Sequence, residues 1–122
     1  MSQELQIVVI DDDESFRMAL VDGLCSLGFA ACGFASAEEF IGSPADASCD
    51  CVINDIHMPG MSGLDLGRLI AARRSDVPVI MITARSDHGV EAHAVANGAC
   101  GLLRKPFNTD DLICCLDRAL KR

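Results

Sequence analysis

Hydrophobic residues are concentrated in five short runs, at residues 5–10, 30–34, 51–55, 77–83 and 101–105. Apolar, β-branched runs of this length predict β-strands, and the run at 5–10 is apolar enough for a strand buried on both faces. The run at 30–34 is composed of smaller residues and contains a glycine, which favours a place at the edge of a sheet. We therefore predict five strands.

Between these runs the apolar residues recur every three to four positions, which predicts helices. We expect helices from Glu14 to a stop at Gly28, from a capping box of Ser36 and Glu39 to about residue 41, over 64–74, over 90–97 before Gly98, and from a cap at Asn108 or Thr109 onwards. The predicted buried faces are Phe16, Leu20, Gly23, Leu24 and Leu27; Leu66, Leu69 and Ile70; and Leu112, Leu116, Ala119 and Leu120. Residues 42–50 are predicted to form a loop.

Five strands alternating with five helices predict an α/β fold, because each crossover between parallel strands needs a helix. A doubly wound parallel sheet in the order 2-1-3-4-5 is the expected architecture, with a crevice between strands 1 and 3. A chain of 122 residues is long enough for one domain and too short for two. We expect a single domain over residues 1–122.

Charge and composition exclude several classes of protein. The formal net charge is −8 and the basic residues are scattered, so we expect no nucleic-acid binding by this domain alone. No apolar run is long enough to span a membrane, and the start of the chain lacks the features of a signal peptide. We therefore expect a soluble cytoplasmic protein that does not bind membranes.

The seven cysteines have neither a Cys-x-x-Cys pair nor the spacing of a zinc site. Where a cysteine has apolar neighbours in the sequence, its thiol is expected to pack as a small hydrophobic group. We predict that Cys25, Cys32, Cys100 and Cys115 lie in the core, and that Cys49, Cys51 and Cys114 are more accessible.

Polar residues stand where four of the five predicted strands end. Asp11 and Asp12 follow the first strand, and Asp55, Thr83 and Lys105 end the third, fourth and fifth strands. Parallel strands end at a shared edge of the sheet and lie about 4.8 Å apart, so these carboxylates should meet. Several carboxylates so close together favour a bound cation, and hard oxygen ligands suit Mg²⁺ or Mn²⁺.

Such a set of groups is what phosphoryl transfer to a carboxylate requires. A metal ion, the Lys105 ammonium and the Thr83 hydroxyl would each neutralise or hydrogen-bond the oxygens of the transferred group, while Asp55 attacks in line. The other interpretation of residues 11–14 is an acidic helix start, which we expect for Asp13 and Glu14.

These residues resemble the receiver domains of two-component response regulators, of the kind found in transcription regulators. The resemblance rests on Asp11-Asp12, on Asp55 in the segment 55–63, on Thr83-Ala84 and on Lys105-Pro106-Phe107. It implies a flavodoxin-like (βα)5 fold. It also implies a phosphorelay function, in which Asp55 accepts a phosphoryl group from a sensor histidine kinase or a phosphotransfer protein.

The resemblance implies roles for the other site residues. Asp12 and Asp55 would bind Mg²⁺ together with the backbone carbonyl of His57, and Asp11 would act mainly through a metal-bound water. Lys105 would contact the phosphoryl oxygens, and its bond to Pro106 would be cis. The domain would slowly hydrolyse its own phosphoryl group without being a turnover enzyme.

The family's conformational switch is implied for Thr83 together with the position three residues before Lys105. That position is Leu102 in this chain, whereas the family has an aromatic residue there. His57 and Arg85 would flank the path of the hydrolytic water and set the phosphoryl lifetime, so Arg85→Ala should change the dephosphorylation rate. Phosphorylation would also favour a homodimer through the fourth predicted helix, the fifth strand and the fifth helix.

Two alternatives remain open from the sequence. Asp11 and Asp13 after the first strand resemble the nucleophile motif of haloacid-dehalogenase-type phosphatases, which would make the protein a small Mg²⁺-dependent phosphatase using Asp11. The other alternative is an interaction module that keeps the fold but is not phosphorylated. The position of a phosphoryl adduct, or the failure to bind Mg²⁺, would distinguish them.

Overall fold

The computed structural model describes residues 4–74, 76–83 and 89–120, within which the chain forms five strands and six helices. The strands are β1 (Gln6–Ile10), β2 (Ala30–Phe34), β3 (Cys51–Asp55), β4 (Val79–Thr83) and β5 (Ala99–Arg104). The helices are α1 (Glu14–Ser26), α2 (Ala37–Ile41), α3 (Ala45–Ser48), α4 (Gly63–Arg73), α5 (Val90–Ala96) and α6 (Thr109–Leu120). None of the helices in these ranges is long and apolar enough to cross a membrane.

The sheet is parallel throughout and has the strand order β2-β1-β3-β4-β5. This order and the doubly wound α/β architecture confirm the prediction. Helices α1 and α6 cover one face of the sheet, whereas α2, α4 and α5 cover the other. All five residues of β3 and all five of β4 are buried, because each of these strands has a neighbour on both sides and helices on both faces.

The five predicted helices begin and end within about two residues of their predicted bounds. The side chains of Asp13, Ser36 and Ser62 each accept a hydrogen bond from the backbone N–H three residues later, which satisfies one of the free donors of a helix start. Gly28 and Gly98 follow α1 and α5 with a φ of 97°, a conformation that glycine adopts without steric cost. These caps fix the bounds of the elements that carry the site.

Three details of the predicted elements are wrong. The predicted loop over residues 42–50 contains the single turn of α3, which follows Pro44 at a φ of −61°; this angle suits a helix start. Strand β5 begins at Ala99 instead of residue 101, because a bulge beside β4 inserts one extra residue, Cys100, into the strand. Gly23 and Leu27 were predicted on the buried face of α1, but both are exposed, and Leu27 is the C-cap of the helix.

The cysteines are distributed differently from the prediction. Cys25, Cys32, Cys100 and Cys114 are exposed, Cys115 is half-buried, and Cys49 and Cys51 are buried. Cys32 lies on the edge strand β2 and Cys100 is the bulge residue, so the apolar neighbours of each in sequence do not cover it. Cys51 lies in the central strand β3, where burial raises the pKa of its thiol far above the usual value.

Candidate functional site

The carboxyl ends of four strands meet at one edge of the sheet. Asp11 follows β1, Asp55 is the last residue of β3, and Thr83 is the last residue of β4. Lys105 follows β5, and its backbone N–H donates to the carbonyl of Thr83 at 2.8 Å. The structure therefore brings together the polar residues that were predicted to share this edge.

Three carboxylates form the centre of this edge. Asp11, Asp12 and Asp55 each have an oxygen within 4.8 Å of the other two. Asp11 and Asp55 are buried, whereas Asp12 is exposed, so one side of the cluster is open to water. Hard oxygen donors with room for water molecules are the surroundings that Mg²⁺ favours, and the residues present therefore fit this ion.

Burial raises the pKa of the Asp55 carboxyl above its usual value, and the neighbouring charges of Asp11 and Asp12 act in the same direction. The backbone N–H of His57, which donates to Asp55 Oδ1 at 3.0 Å, and the charge of Lys105 oppose this effect. The ionised form of Asp55 is therefore less stable at this site than in water, and a bound cation would stabilise it.

The side chain of Lys105 brings a positive charge to these carboxylates. Its Nζ lies 3.0 Å from Asp11 Oδ2 and 3.6 Å from Asp55 Oδ2, and it also lies 3.9 Å from the centre of the Phe16 ring. Burial alone would lower the pKa of Lys105, but the hydrogen bond and charge of Asp11 and the charge of Asp55 raise it overall. The side chain is therefore an ammonium group. The Lys105–Pro106 peptide bond is cis, as predicted.

The loop after Asp55 is closed at its base by hydrogen bonds. The N–H of Gly63 donates to the carbonyl of Ile56 at 3.0 Å, and the Asn54 side-chain amide donates to the carbonyl of Gly63 at 3.2 Å. A Cβ on Gly63 would overlap the carbonyl oxygen of Asp55, so only glycine fits there. Asn54 Oδ1 is buried and has no hydrogen-bond partner within the part of the chain that the structure describes.

Two longer side chains support the site from other elements. The Arg17 guanidinium donates to the carbonyl of Asp11 at 2.7 Å. The Met61 N–H donates to Glu38 Oε2 at 3.0 Å, and this bond lowers the pKa of Glu38. The sequence analysis predicted neither of these hydrogen bonds, and it did not predict the contact of Phe16 with Lys105. The only signal in the sequence was the position of Phe16 and Arg17 in the first turn after the acidic run.

The remaining predicted site residues lie outside the carboxylate cluster or outside the described residues. Leu102 pairs with Met81 across β5 and β4, is half-buried, and lines a groove of about 700 Å³ between α5 and α6. His57 is exposed, and the predicted role of its backbone carbonyl as a metal ligand stays a prediction. Arg85 lies outside the described residues.

Comparison with known proteins gives a consistent result. Residues 7–117 match the family model described as the response regulator receiver domain. The chain is 35% identical to Response regulator protein TmoT of Ectopseudomonas mendocina over 98% of its own length and 54% of that protein. It is 38% identical to the C4-dicarboxylate transport transcriptional regulatory protein DctD of Rhizobium meliloti (strain 1021), over 93% of its length and 25% of that protein.

A solved structure shows the same fold. The response regulator receiver protein from Burkholderia phymatum is 40% identical, has a TM-score of 0.85, and aligns over 97% of this chain and 96% of that one. The chain spans 25% and 54% of the lengths of the two curated relatives. Receiver domains are signalling modules that interact with histidine kinases and are not turnover enzymes. This chain belongs to the receiver domain family of two-component response regulators and is related to transcriptional regulators of that class.

Proposed function

We propose that this domain accepts a phosphoryl group on Asp55 in a phosphorelay, with a sensor histidine kinase or a phosphotransfer protein as the donor and Mg²⁺ as the cofactor. The observation that carries the proposal is the arrangement at Asp55, whose carboxylate lies within 4.8 Å of two others and 3.6 Å from the Lys105 ammonium. Acidic ligands for a divalent cation thus stand beside a nucleophile and a positive charge.

In the proposed reaction, a carboxylate oxygen of Asp55 attacks the phosphorus of a phosphohistidine. The phosphorus–nitrogen bond breaks, its electron pair stays on the imidazole nitrogen of the donor, and an aspartyl phosphate is formed. Lys105 neutralises charge on the phosphoryl oxygens, and the hydroxyl of Thr83 donates a hydrogen bond to one of them. The ammonium group is already beside the acceptor before the donor arrives.

The hydrogen bonds of the two buried aspartates favour Asp55 over Asp11 as the acceptor. Asp11 Oδ1 accepts the N–H of Asp13 at 2.9 Å and Asp11 Oδ2 accepts from Lys105 Nζ at 3.0 Å, so both oxygens are occupied. Asp55 Oδ2 is 3.6 Å from the same ammonium, which is beyond hydrogen-bond length. This difference speaks against the phosphatase-like alternative.

The proposed metal ligands are Asp11, Asp12 and Asp55, with the His57 carbonyl as a further ligand and Asp11 acting mainly through a water molecule. Mn²⁺ is an acceptable substitute, since it also prefers oxygen ligands. When bound, the divalent cation supplies positive charge beside the transferred phosphoryl group. Asp55 is the last residue of β3 and Asp12 lies two residues after β1, so the sheet restrains the backbone that carries these ligand oxygens.

The proposed consequence of phosphorylation is a change at the surface formed by α5, β5 and α6. Thr83 and Leu102 are the proposed switch residues, and a phosphorylation-dependent homodimer through this surface would carry the signal to transcription. Leu102 is smaller than the aromatic residue usual in the family, so its movement displaces less volume. We also propose a cytoplasmic location, where the seven free thiols would stay reduced.

Arg85 and His57 remain the proposed determinants of the phosphoryl lifetime. The side chain of His57 is exposed two residues after the acceptor, so it would lie near a water molecule that approaches Asp55 from solvent. Arg85→Ala is expected to change the rate at which the phosphoryl group is lost, with little effect on Mg²⁺ affinity. An unchanged rate in a single-turnover decay measurement would contradict this role.

The intact mass of the protein after incubation with acetyl phosphate and Mg²⁺ tests the proposed function. The chain has no Trp or Tyr, so mass is a more direct measure than fluorescence. We expect one added phosphoryl group on the wild-type protein, and none with Asp55→Asn or in the presence of a chelator. The adduct should persist with Asp110→Asn, which removes an exposed carboxylate from α6. No adduct on the wild-type protein, with Mg²⁺ binding measured separately, would favour the interaction module.

A further inference from the structure

We propose that Phe16 is a positioning residue, whose aromatic face holds the Lys105 ammonium in place for phosphoryl transfer to Asp55. The inference rests on the proposed function and adds a residue to it. Phe16 was predicted only as part of the buried face of α1. Its ring instead provides a contact for the cation of the site as well as for the core.

The ring is fixed close to the ammonium. Lys105 Nζ lies 3.9 Å from the centre of the Phe16 ring, well inside the distance over which a cation is attracted by an aromatic face. The Phe16 N–H is held by Asp13 Oδ1 at 3.2 Å, and the Phe107 ring packs edge-on against the Phe16 ring at 5.9 Å and 83°. The backbone and the ring of Phe16 are therefore both restrained.

The surroundings strengthen this interaction. The Lys105 side chain is 21% exposed, so water screens its charge much less than at an open surface. Cation–π attraction is larger when the cation is desolvated. The ring also packs against the hydrophobic cluster beneath α1 and α6, which keeps water away from one side of the ammonium.

An aromatic partner of Lys105 has a property that its carboxylate partners lack. Asp11 hydrogen-bonds the ammonium and Asp55 attracts it from 3.6 Å, and the same two residues belong to the carboxylate cluster proposed for the divalent cation. A bound metal ion and Lys105 would therefore both be attracted by the same carboxylates. The Phe16 ring offers no ligand for a hard cation. Its contact with the ammonium therefore persists when the carboxylates also bind a metal ion.

Substitutions at Phe16 separate this role from simple packing. Phe16→Leu keeps an apolar side chain against the core but removes the aromatic face, whereas Phe16→Tyr keeps the face. Phe16 borders an open groove of about 520 Å³, which Leu20, Lys105 and Phe107 also line. Phe29→Leu makes the same chemical change elsewhere in the same hydrophobic cluster and serves as the matched control.

The first measurement is the initial rate of adduct formation on Asp55 with acetyl phosphate and saturating Mg²⁺. We expect Phe16→Leu to slow it by about 3- to 30-fold, the range to which cation–π energies correspond. Phe16→Tyr and Phe29→Leu should stay within about twofold of the wild type. Circular dichroism verifies folding, and Phe16→Met supplies a second non-aromatic side chain should Phe16→Leu not fold.

The second measurement needs neither metal nor phosphodonor. In the wild type and in Phe16→Tyr, the NMR signals of the Lys105 ε-methylene protons should be shifted upfield by the ring, and Phe16→Leu should abolish this shift. A wild-type rate in Phe16→Leu, a rate in Phe16→Tyr as low as in Phe16→Leu, or no upfield shift in the wild type would each overturn the inference. No adduct on the wild type would instead overturn the proposed function, and the role of Phe16 with it.

Discussion

Replacing Asp55 by asparagine is expected to stabilise the fold at neutral pH when no divalent cation is present. Asp55 is buried beside two other carboxylates, so its ionised form is repelled by its neighbours in the native state only. Asparagine has nearly the same shape and keeps an oxygen that can accept the N–H of His57. The substitution removes the charge and leaves the packing unchanged.

The magnitude follows from the distances. One oxygen of each carboxylate lies within 4.8 Å of the others. At that distance two like charges repel by about 0.9 kcal/mol in water and by ~3.5 kcal/mol at an effective dielectric constant of roughly 20. Asp55 is repelled by Asp11 and Asp12 and attracted by Lys105 at 3.6 Å, and this attraction offsets one of the two repulsions. The free energy of unfolding should rise by about 1–3 kcal/mol.

The pH dependence has a definite sign. Because the pKa of Asp55 is raised in the native state, the native protein retains this proton to a higher pH than the unfolded chain does. Stability from the bound proton is complete below the unfolded pKa and is lost as the pH rises through the native pKa. The advantage of Asp55→Asn should therefore be present at neutral pH and should disappear in acid.

Urea unfolding followed by circular dichroism is the assay, first with a chelator and then with Mg²⁺. Mg²⁺ should stabilise the wild type more than Asp55→Asn, because a ligand stabilises the state that binds it. Asp22→Asn removes an exposed carboxylate from α1 and controls for the general reduction of the net charge of −8. If Asp55→Asn is no more stable than wild type at pH 7 with chelator, the electrostatic reasoning is refuted.

Two further substitutions, one beside the site and one at an ion pair between α3 and α4, are tested by urea unfolding. Gly63→Ala should lower the free energy of unfolding by about 1–3 kcal/mol, because its Cβ would overlap the Asp55 carbonyl oxygen. Gly23 lies in mid-helix, where an added Cβ meets no atom within 4 Å, so Gly23→Ala should raise the free energy of unfolding by roughly 0.5–1 kcal/mol. The same loss of stability in both variants would contradict the steric reasoning. Asp46→Asn should lower the free energy of unfolding by about 1 kcal/mol, because Arg73 donates to the buried Asp46 carboxylate at 2.9 Å; no loss would show that this ion pair contributes nothing.

The strand order and the meeting of Asp11, Asp55 and Lys105 were predictable because they follow from periodicity and from the geometry of parallel sheets. A strand of known direction places its last residue at a known edge, whatever the details of packing. The roles of these residues in phosphoryl transfer stay predictions, because neither the fold nor the family match tests them.

The contacts that were missed depend on where side chains reach across elements. The bond from Arg17 to Asp11 and that from Met61 to Glu38 each join segments whose separation is set by the packing of helices on the sheet. The helical period assigned Phe16 to the core but did not indicate the neighbouring ammonium. Cys100 was misassigned for a similar reason, since a bulge adds one residue to β5 and breaks the strand's alternation.

The buried thiol of Cys51 offers a chemical measure of how often the central strand β3 opens. Cys51 is fully buried, four positions before Asp55 in β3, and its raised pKa keeps it protonated, so a thiol reagent modifies it only when the strand opens. The exposed thiols of Cys25 and Cys114 react first and calibrate the reagent. The slow modification of Cys51, located by peptide mass, thus measures how often the strand that carries the acceptor separates from its neighbours, and whether Mg²⁺ makes that opening rarer.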